Sequence, residues 1–235
     1  MQIDWSHPLA RGLLAAWLPR GGVLLDVTGR GNDITPNNQP QIVAQAGGLA
    51  AIDASSGQHH WRRTLPAALK PAAAVSVFWC GEIRGTGTFA TNGSGLLGAS
   101  YDNVDGSPFT GWSFYRSNSD PANGGFNWNN GSYQQLTYSG VYTTNRRVAL
   151  LGSVQLGGNA TVYADGGVIA GPTAASSGTI IYASTALLIA GAHPTNLSNN
   201  SGCGMEVGAV WDRALTQAEA AWLAQEPYCY MLPEG

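Results

Sequence analysis

Short runs in which apolar and polar residues alternate recur along most of the chain, separated by Gly, Asn, Ser and Pro. A period of two broken by frequent turn residues predicts an antiparallel β-sandwich or barrel. In residues 75–80 (VSVFWC) the alternation places Val75, Val77 and Trp79 on one face and Ser76, Phe78 and Cys80 on the other. Because the second face also carries an aromatic ring and a thiol, this strand is expected to lie centrally, covered at least partly on both sides. Residues 112–116 (WSFYR) alternate similarly, with Trp112 and Phe114 facing together and Tyr115 opposite.

Residues 147–156 (RVALLGSVQL), 159–164 (NATVYA) and 168–170 read as consecutive strands of a meander. Asp165-Gly166-Gly167 supplies the tight turn, since Asp-Gly tolerates the positive φ angles of a two-residue hairpin. Residues 186–190 (ALLIA) and 206–211 (EVGAVW) add two strands, and the Asn- and Ser-rich stretch 193–204 between them reads as an exposed loop. One helix is expected. Thr216-Gln217-Ala218-Glu219 has the pattern of a capping box, Ala218 and Trp222 lie one turn apart and would dock on the sandwich, and Pro227 ends the helix near residue 225.

Composition narrows the class. Hydrophobic residues make up 44% of the 235, with eight Trp, so a sizeable core is affordable, while 32 Gly and only 11% charged residues exclude a long helical or coiled-coil protein. No shift in composition divides the chain, so one domain over 1–235 is expected, with an arm at 1–11, the closing helix at 216–225 and a tail at 227–235. The net charge is −3, and the basic residues are scattered apart from Arg62-Arg63 and Arg146-Arg147. Two isolated pairs do not make the dense basic face that phosphate neutralisation requires, so nucleic acid is not an expected partner. No apolar run approaches the ~20 residues of a membrane helix, and the opening MQIDWSH lacks a secretory pattern, so synthesis in a cytoplasm without membrane association is expected. Cys80, Cys203 and Cys229 are odd in number and unrelated in spacing, which favours small buried hydrophobes over a disulfide framework or a zinc site.

Four segments, in order, carry a family likeness. Gly12-Leu13-Leu14-Ala15-Ala16-Trp17 followed by Asp26-Val27-Thr28-Gly29-Arg30-Gly31-Asn32-Asp33 resembles the opening of laminin-G-like (concanavalin A-like) jelly-roll domains. Residues 74–80 (AVSVFWC), 162–166 (VYADG) and 209–223 (AVWDRALTQAEAAWL) are similar to that family's later strand, hairpin and closing strand–turn–helix. The resemblance implies an all-β, two-sheet antiparallel jelly roll with one short C-terminal helix. Ser6-His7-Pro8-Leu9-Ala10, before the Gly-Leu pair, resembles laminin-G-like proteins of tailed phages and prophages.

Retaining glucanases of the jelly-roll class need two carboxylates about 5 Å apart on one strand face, and no such alternation of acids exists; Glu206 and Asp212 are too far apart along a strand to cooperate. No G-x-S-x-G elbow and no glycine-rich loop opening a helix is present. His59 and His60 are adjacent and so point opposite ways on a strand, which suits an exposed rim or partner contact better than one metal ion. No cofactor is expected. Calcium, the family's commonest ion, has two candidate clusters, Asp26/Asn32/Asp33 and Asp102/Asn103/Asp105, and both read more simply as turn chemistry.

The stretch from 109 to 142 is the most suggestive. Trp112, Tyr115, Trp128, Tyr133 and Tyr138 are interleaved with Asn and Gln, a mixture in which rings stack on sugar C–H faces and amides bond hydroxyls. Trp112, Phe114, Phe126 and Trp128 are assigned inward, leaving Tyr115, Tyr133 and Tyr138, with Asn127, Asn129 and Gln134, as candidate glycan- or partner-binding residues. Three functional expectations follow. The first is a non-enzymatic decoration protein on the virion surface of a tailed phage, contacting other virion proteins, copies of itself and cell-surface glycans. The alternatives are a free lectin-type module and a degenerate glycoside hydrolase.

Overall fold

A computed structural model describes residues 1–37, 41–44, 50–53, 60–83, 94–100, 110–117, 123–143, 146–184, 186–193, 196–200 and 203–233. In chain order the strands are β1 (Gln2–Ile3), β2 (Leu13–Arg20), β3 (Val23–Asp26), β4 (Thr35–Asn37), β5 (Gln41–Ala44), β6 (Ala50–Asp53), β7 (His60–Thr64), β8 (Ala74–Ile83), β9 (Ser94–Ser100), β10 (Gly111–Arg116), β11 (Gly124–Asn129), β12 (Tyr133–Tyr138), β13 (Arg146–Gln155), β14 (Asn159–Ala164), β15 (Gly167–Ala174), β16 (Leu187–Ala190), β17 (Ala192–His193), β18 (Asn196–Asn200), β19 (Cys203–Trp211) and β20 (Met231–Leu232). The α-helix α1 spans Gln217–Gln225.

Two seven-stranded antiparallel sheets form the sandwich, the first in the order β12-β11-β10-β9-β16-β7-β4 and the second in the order β15-β14-β13-β8-β19-β2-β3. The fold is therefore an all-β jelly-roll sandwich with one α-helix among the described residues, as the sequence pattern and the resemblance led one to expect. The main core lies between the sheets and includes Trp17, Trp61, Trp79, Trp112, Phe114 and Phe126. Gly152 on β13 lets the facing sheet approach: a Cβ there would stand 2.6 Å from the Phe126 ring.

β8 is central, hydrogen-bonded to β13 on one side and β19 on the other. Its alternation works as expected, because Val75, Val77 and Trp79 join the main core while Phe78 and Cys80 join a second apolar layer on the other face. That second layer is closed by Leu9, Leu215, Ala220, Leu223 and Tyr230, contributed by the arm, the helix and the tail. Trp211 belongs to it, with its indole N–H donating to the Leu9 carbonyl at 2.7 Å, so Trp79 and Trp211 are both buried but on opposite faces of one sheet. Burial in the second layer pushes the Cys80 thiol up to about 12, chiefly by desolvation, which leaves it protonated and inert. β1 and β20 pair, so arm and tail hold each other against this layer.

Local signals translate directly. Asp165 and Gly166 take φ of 49° and 82°, and β14 and β15 pair up to Ala164 and Gly167 on either side of them. Thr216 and Glu219 form both hydrogen bonds of the capping box, an arrangement whose N-cap part alone is typically worth about 1 kcal/mol.

Two expectations need correction. The helix docks through Ala220 and Leu223, whereas Ala218 and Trp222 are exposed; Trp222 instead packs on the His7 ring, 4.5 Å between centroids. The stretch 193–204 is not a simple loop either. It supplies the β17–β18 hairpin and the first residues of β19, where Cys203 pairs with Ile83 and is buried. Backbone hydrogen bonds to β8 do not depend on side-chain polarity, so Asn- and Ser-rich sequence does not prevent strand formation there.

Candidate functional site

The hairpins β10–β11–β12 build the candidate site at one end of the first sheet. Registers align Ser113, Asn127 and Gln135 in one row and Tyr115, Gly125 and Thr137 in the next, all on the outer face. Their neighbours one residue along, Trp112, Phe114, Phe126 and Trp128, enter the core as expected.

Tyr115 lies across the middle strand. A Cβ at Gly125 would stand 2.4 Å from the Tyr115 ring, so only glycine lets the phenol cross β11, and its hydroxyl accepts a hydrogen bond from the Gln135 amide on β12. Gln135 also bonds Tyr133, which is 49% exposed. The result is a Tyr115–Gln135–Tyr133 ridge over three strands. Desolvation raises the pKa of both phenols, that of Tyr133 to about 12, so both remain neutral O–H groups at physiological pH. Beside the ridge is a cleft of about 300 Å³ lined by Tyr115, Ser117, Asn123, Gly124, Thr137, Tyr138 and Ser139.

Not all the residues selected from sequence face this surface. Tyr138 borders the cleft but is only 5% exposed, its ring turned inward and its hydroxyl hydrogen-bonded to that of Tyr142. Tyr133 and Tyr138 are five residues apart on one strand, and a period of two puts them on opposite faces. Gln134, half-buried, shares the inward parity of Leu136 and Tyr138. Asn127 and Asn129 have outward parity yet are buried, because their neighbours on β10 and β12 close over the strand between them. Gln135, one of the interleaved amides, was not selected, and Thr137 was missed. Counting by twos from Tyr133 would have found them.

The other sequence candidates resolve differently. Asp26 spends its carboxylate on N–H and O–H donors of Ala16, Thr28 and Asn32, and its own N–H donates to Asp33 at 2.7 Å. Three of these donors converge on Oδ1 and one on Oδ2, so the carboxylate performs turn chemistry here. Asp102, Asn103 and Asp105 lie outside the described residues, as does His59. His60 is buried on β7 rather than on an exposed rim, and Trp61 beside it is a core residue. Glu206 is also buried, its carboxylate 2.7 Å from the Arg147 guanidinium.

A larger cleft, about 720 Å³, runs along the arm past Trp5, His7, Arg11, Asp212, Arg213 and Glu219. Its polar groups are largely spent on holding the arm: Arg213 donates to the Arg11 and Pro8 carbonyls and pairs with Glu219 at 2.6 Å, and His7 Nδ1 accepts from the Leu9 N–H. We read it as the seam where the arm docks.

No family model matches the chain, and a search of curated proteins finds no match. Solved structures do resemble it. The receptor binding domain of botulinum neurotoxin C/D mosaic serotype superposes with a TM-score of 0.66 at 11% identity, over 93% of this chain and 52% of that one. The ligand binding domain of botulinum neurotoxin serotype D, in complex with N-acetylneuraminic acid, gives 0.67 at 12% identity over 93% and 52%. Trypanosoma rangeli sialidase gives 0.63 at 13% identity over 94% and 33%. The chain thus spans about half or less of these structures, and at such identities the likeness establishes the jelly-roll sandwich alone.

Proposed function

We propose that this protein is a non-catalytic glycan-binding β-sandwich whose ligand rests on the Tyr115–Gln135–Tyr133 ridge. The observation that carries this is the ridge itself: phenols and an amide arranged over three rigid strands beside a polar cleft, offering aromatic surface and hydrogen bonds together. A solved structure that matches this chain over about half of its own length is a complex with N-acetylneuraminic acid, which supports a saccharide as the ligand without locating its site. Catalysis is not part of the proposal. Glu206 is committed to Arg147, and Asp212 follows the far end of the same strand, roughly 20 Å along it at ~3.4 Å per residue. Titration of an oligosaccharide panel followed by NMR is expected to perturb Tyr115, Tyr133 and Gln135 first. Tyr133→Ala should weaken binding about tenfold, equivalent to ~1.4 kcal/mol. Saturable binding that maps elsewhere and ignores Tyr133 would overturn the assignment.

A second reading concerns where this binding is used. Residues 6–16, which resemble phage laminin-G-like proteins, lie in the docked arm and the strand it leads into, and the low charge of the chain would let copies pack with little desolvation of ions. On this reading the protein is an accessory, glycan-presenting component on the outside of a tailed-phage particle. Quantitative mass spectrometry of purified particles is expected to detect it at fixed stoichiometry. Its absence from particles would remove the reading, and failure of shell assembly on deletion would show that the role is not accessory.

A further inference from the structure

We infer that a second saccharide site lies on the opposite face of the sandwich from the ridge, in a cleft between β13, β14, β15 and the entry to α1. The cleft stands on its own observations. Only the two-sidedness of the molecule rests on the ridge reading.

The first observation is where the apolar cover of the second sheet stops. The arm, α1 and the tail close its outer face over Phe78, Leu151 and Tyr163. Beyond Leu151 the outward positions turn polar: Ser153 and Gln155 follow on β13, and Asn159 and Thr161 precede Tyr163 on β14. A cleft of about 420 Å³ lies over them. Val168 and Pro172 reach it from β15, and Ala214, Leu215 and Gln217 from the entry to α1. Sites for small ligands occupy roughly 300–1,000 Å³.

The second is a pair of uncommitted hydroxyls. Thr161 and Tyr163 are each 8% exposed, both line the cleft, and neither hydroxyl is hydrogen-bonded to any described residue. Neither oxygen is among the fully enclosed orphans of the core, so both are met from the cleft. Burial has already fixed their side chains, and a ligand that pairs with them therefore orders little. Ser153 and Gln155 are different, because they serve the fold. The Ser153 hydroxyl donates to the Leu215 carbonyl at 3.1 Å and accepts from Ser76, and the Gln155 amide donates to the Ala73 carbonyl at 3.4 Å.

The third is the kind of ligand that uses all of these groups. Each free hydroxyl can both donate and accept, and the exposed amides of Asn159 and Gln217 offer a donor and an acceptor side by side. Val168, 42% exposed, and Pro172 add apolar surface on which the C–H face of a sugar ring can rest. An apolar ligand would leave the hydroxyls unmet, and a carboxylate or phosphate would use only their donor half. A saccharide presents ring carbon and hydroxyls together. With the ridge on the outer face of the first sheet and this cleft on that of the second, the molecule bridges two glycans instead of holding one.

The test titrates the intact, isotopically labelled chain with a panel of neutral oligosaccharides, followed by NMR. The parent, Tyr133→Ala and the double variant Thr161→Val/Tyr163→Phe are compared. Both replacements in the double variant keep the side-chain shape and remove only hydroxyls without a protein partner, so its melting temperature should hold or rise. Shifts at residues 153–172 are expected to survive Tyr133→Ala, while the double variant binds at the cleft about tenfold more weakly, as loss of hydrogen bonds between neutral groups implies. A lowered melting temperature with cleft affinity unchanged would show that the hydroxyls serve the fold, and would overturn the inference. Shifts confined to the ridge overturn it and leave the ridge reading standing, whereas shifts confined to the cleft do the reverse. Cleft shifts with a pool of extended peptides and with no saccharide overturn the ligand class. Shifts at neither place across the panel overturn both readings.

Discussion

Replacing Trp79 by Ala is expected to destabilise the fold by ~3–5 kcal/mol, the loss of a large ring's transfer energy plus the cavity it leaves. Trp79 is 1% exposed, and its strand is hydrogen-bonded on both edges, opposite Leu150 of β13 and Gly208 of β19. Glycine has shaped the space around it: a Cβ at Gly81 would stand 2.0 Å from the Gly204 carbonyl oxygen and 2.9 Å from the Trp79 ring. A site flanked by two paired strands and a facing sheet cannot collapse to fill the hole. Denaturant unfolding should show a lowered midpoint with an unchanged slope. A variant as stable as the parent would mean that the assignment of β8 faces is wrong.

Asp26→Ala is expected to cost about 3 kcal/mol or more, because it orphans several donors at once. The buried carboxylate accepts from the Thr28 N–H at 3.0 Å, the Thr28 hydroxyl at 2.7 Å, the Asn32 N–H at 3.0 Å and the Ala16 N–H at 3.4 Å. It thereby ties β2 to the turn after β3, and the same turn is pinned by the Trp17 indole donating to the Asn32 carbonyl at 2.7 Å. Asp26→Asn, which keeps one acceptor oxygen, should lose distinctly less. Since protein donors occupy the carboxylate, chelator should leave the melting temperature unchanged. A chelator-induced drop that calcium restores would instead show that an ion holds this turn.

Much of the scaffold is readable from local chemistry. The alternation in residues 75–80, the Asp-Gly turn and the Thr216 capping box each depend on residues within a few positions of one another, and each appears as written. The site was only partly readable. Tyr115 and Tyr133 emerge as outward rings, whereas Tyr138, which borders the cleft, has its ring on the inner face, as the period of two along its strand already implies. Asn127 is different in kind. Nothing near it in the chain says that it is buried, because the neighbours that close over it belong to β10 and β12, on either side of its own strand.

Arg116 marks the same boundary. An arginine beside an exposed tyrosine reads as a surface cation, yet its parity with Phe114 carries it inward, and Tyr142, 26 positions later, supplies the ring that receives it. By itself the sequence determined that this chain is an antiparallel sandwich with one capped helix, since periodicity, turns and caps are short-range. Only the tertiary structure decided which polar groups are exposed, that a second apolar layer buries Trp211, and that Arg116 turns away from the tyrosine face. Those outcomes depend on which distant strands become neighbours, and strand pairing runs through backbone hydrogen bonds that carry no side-chain label.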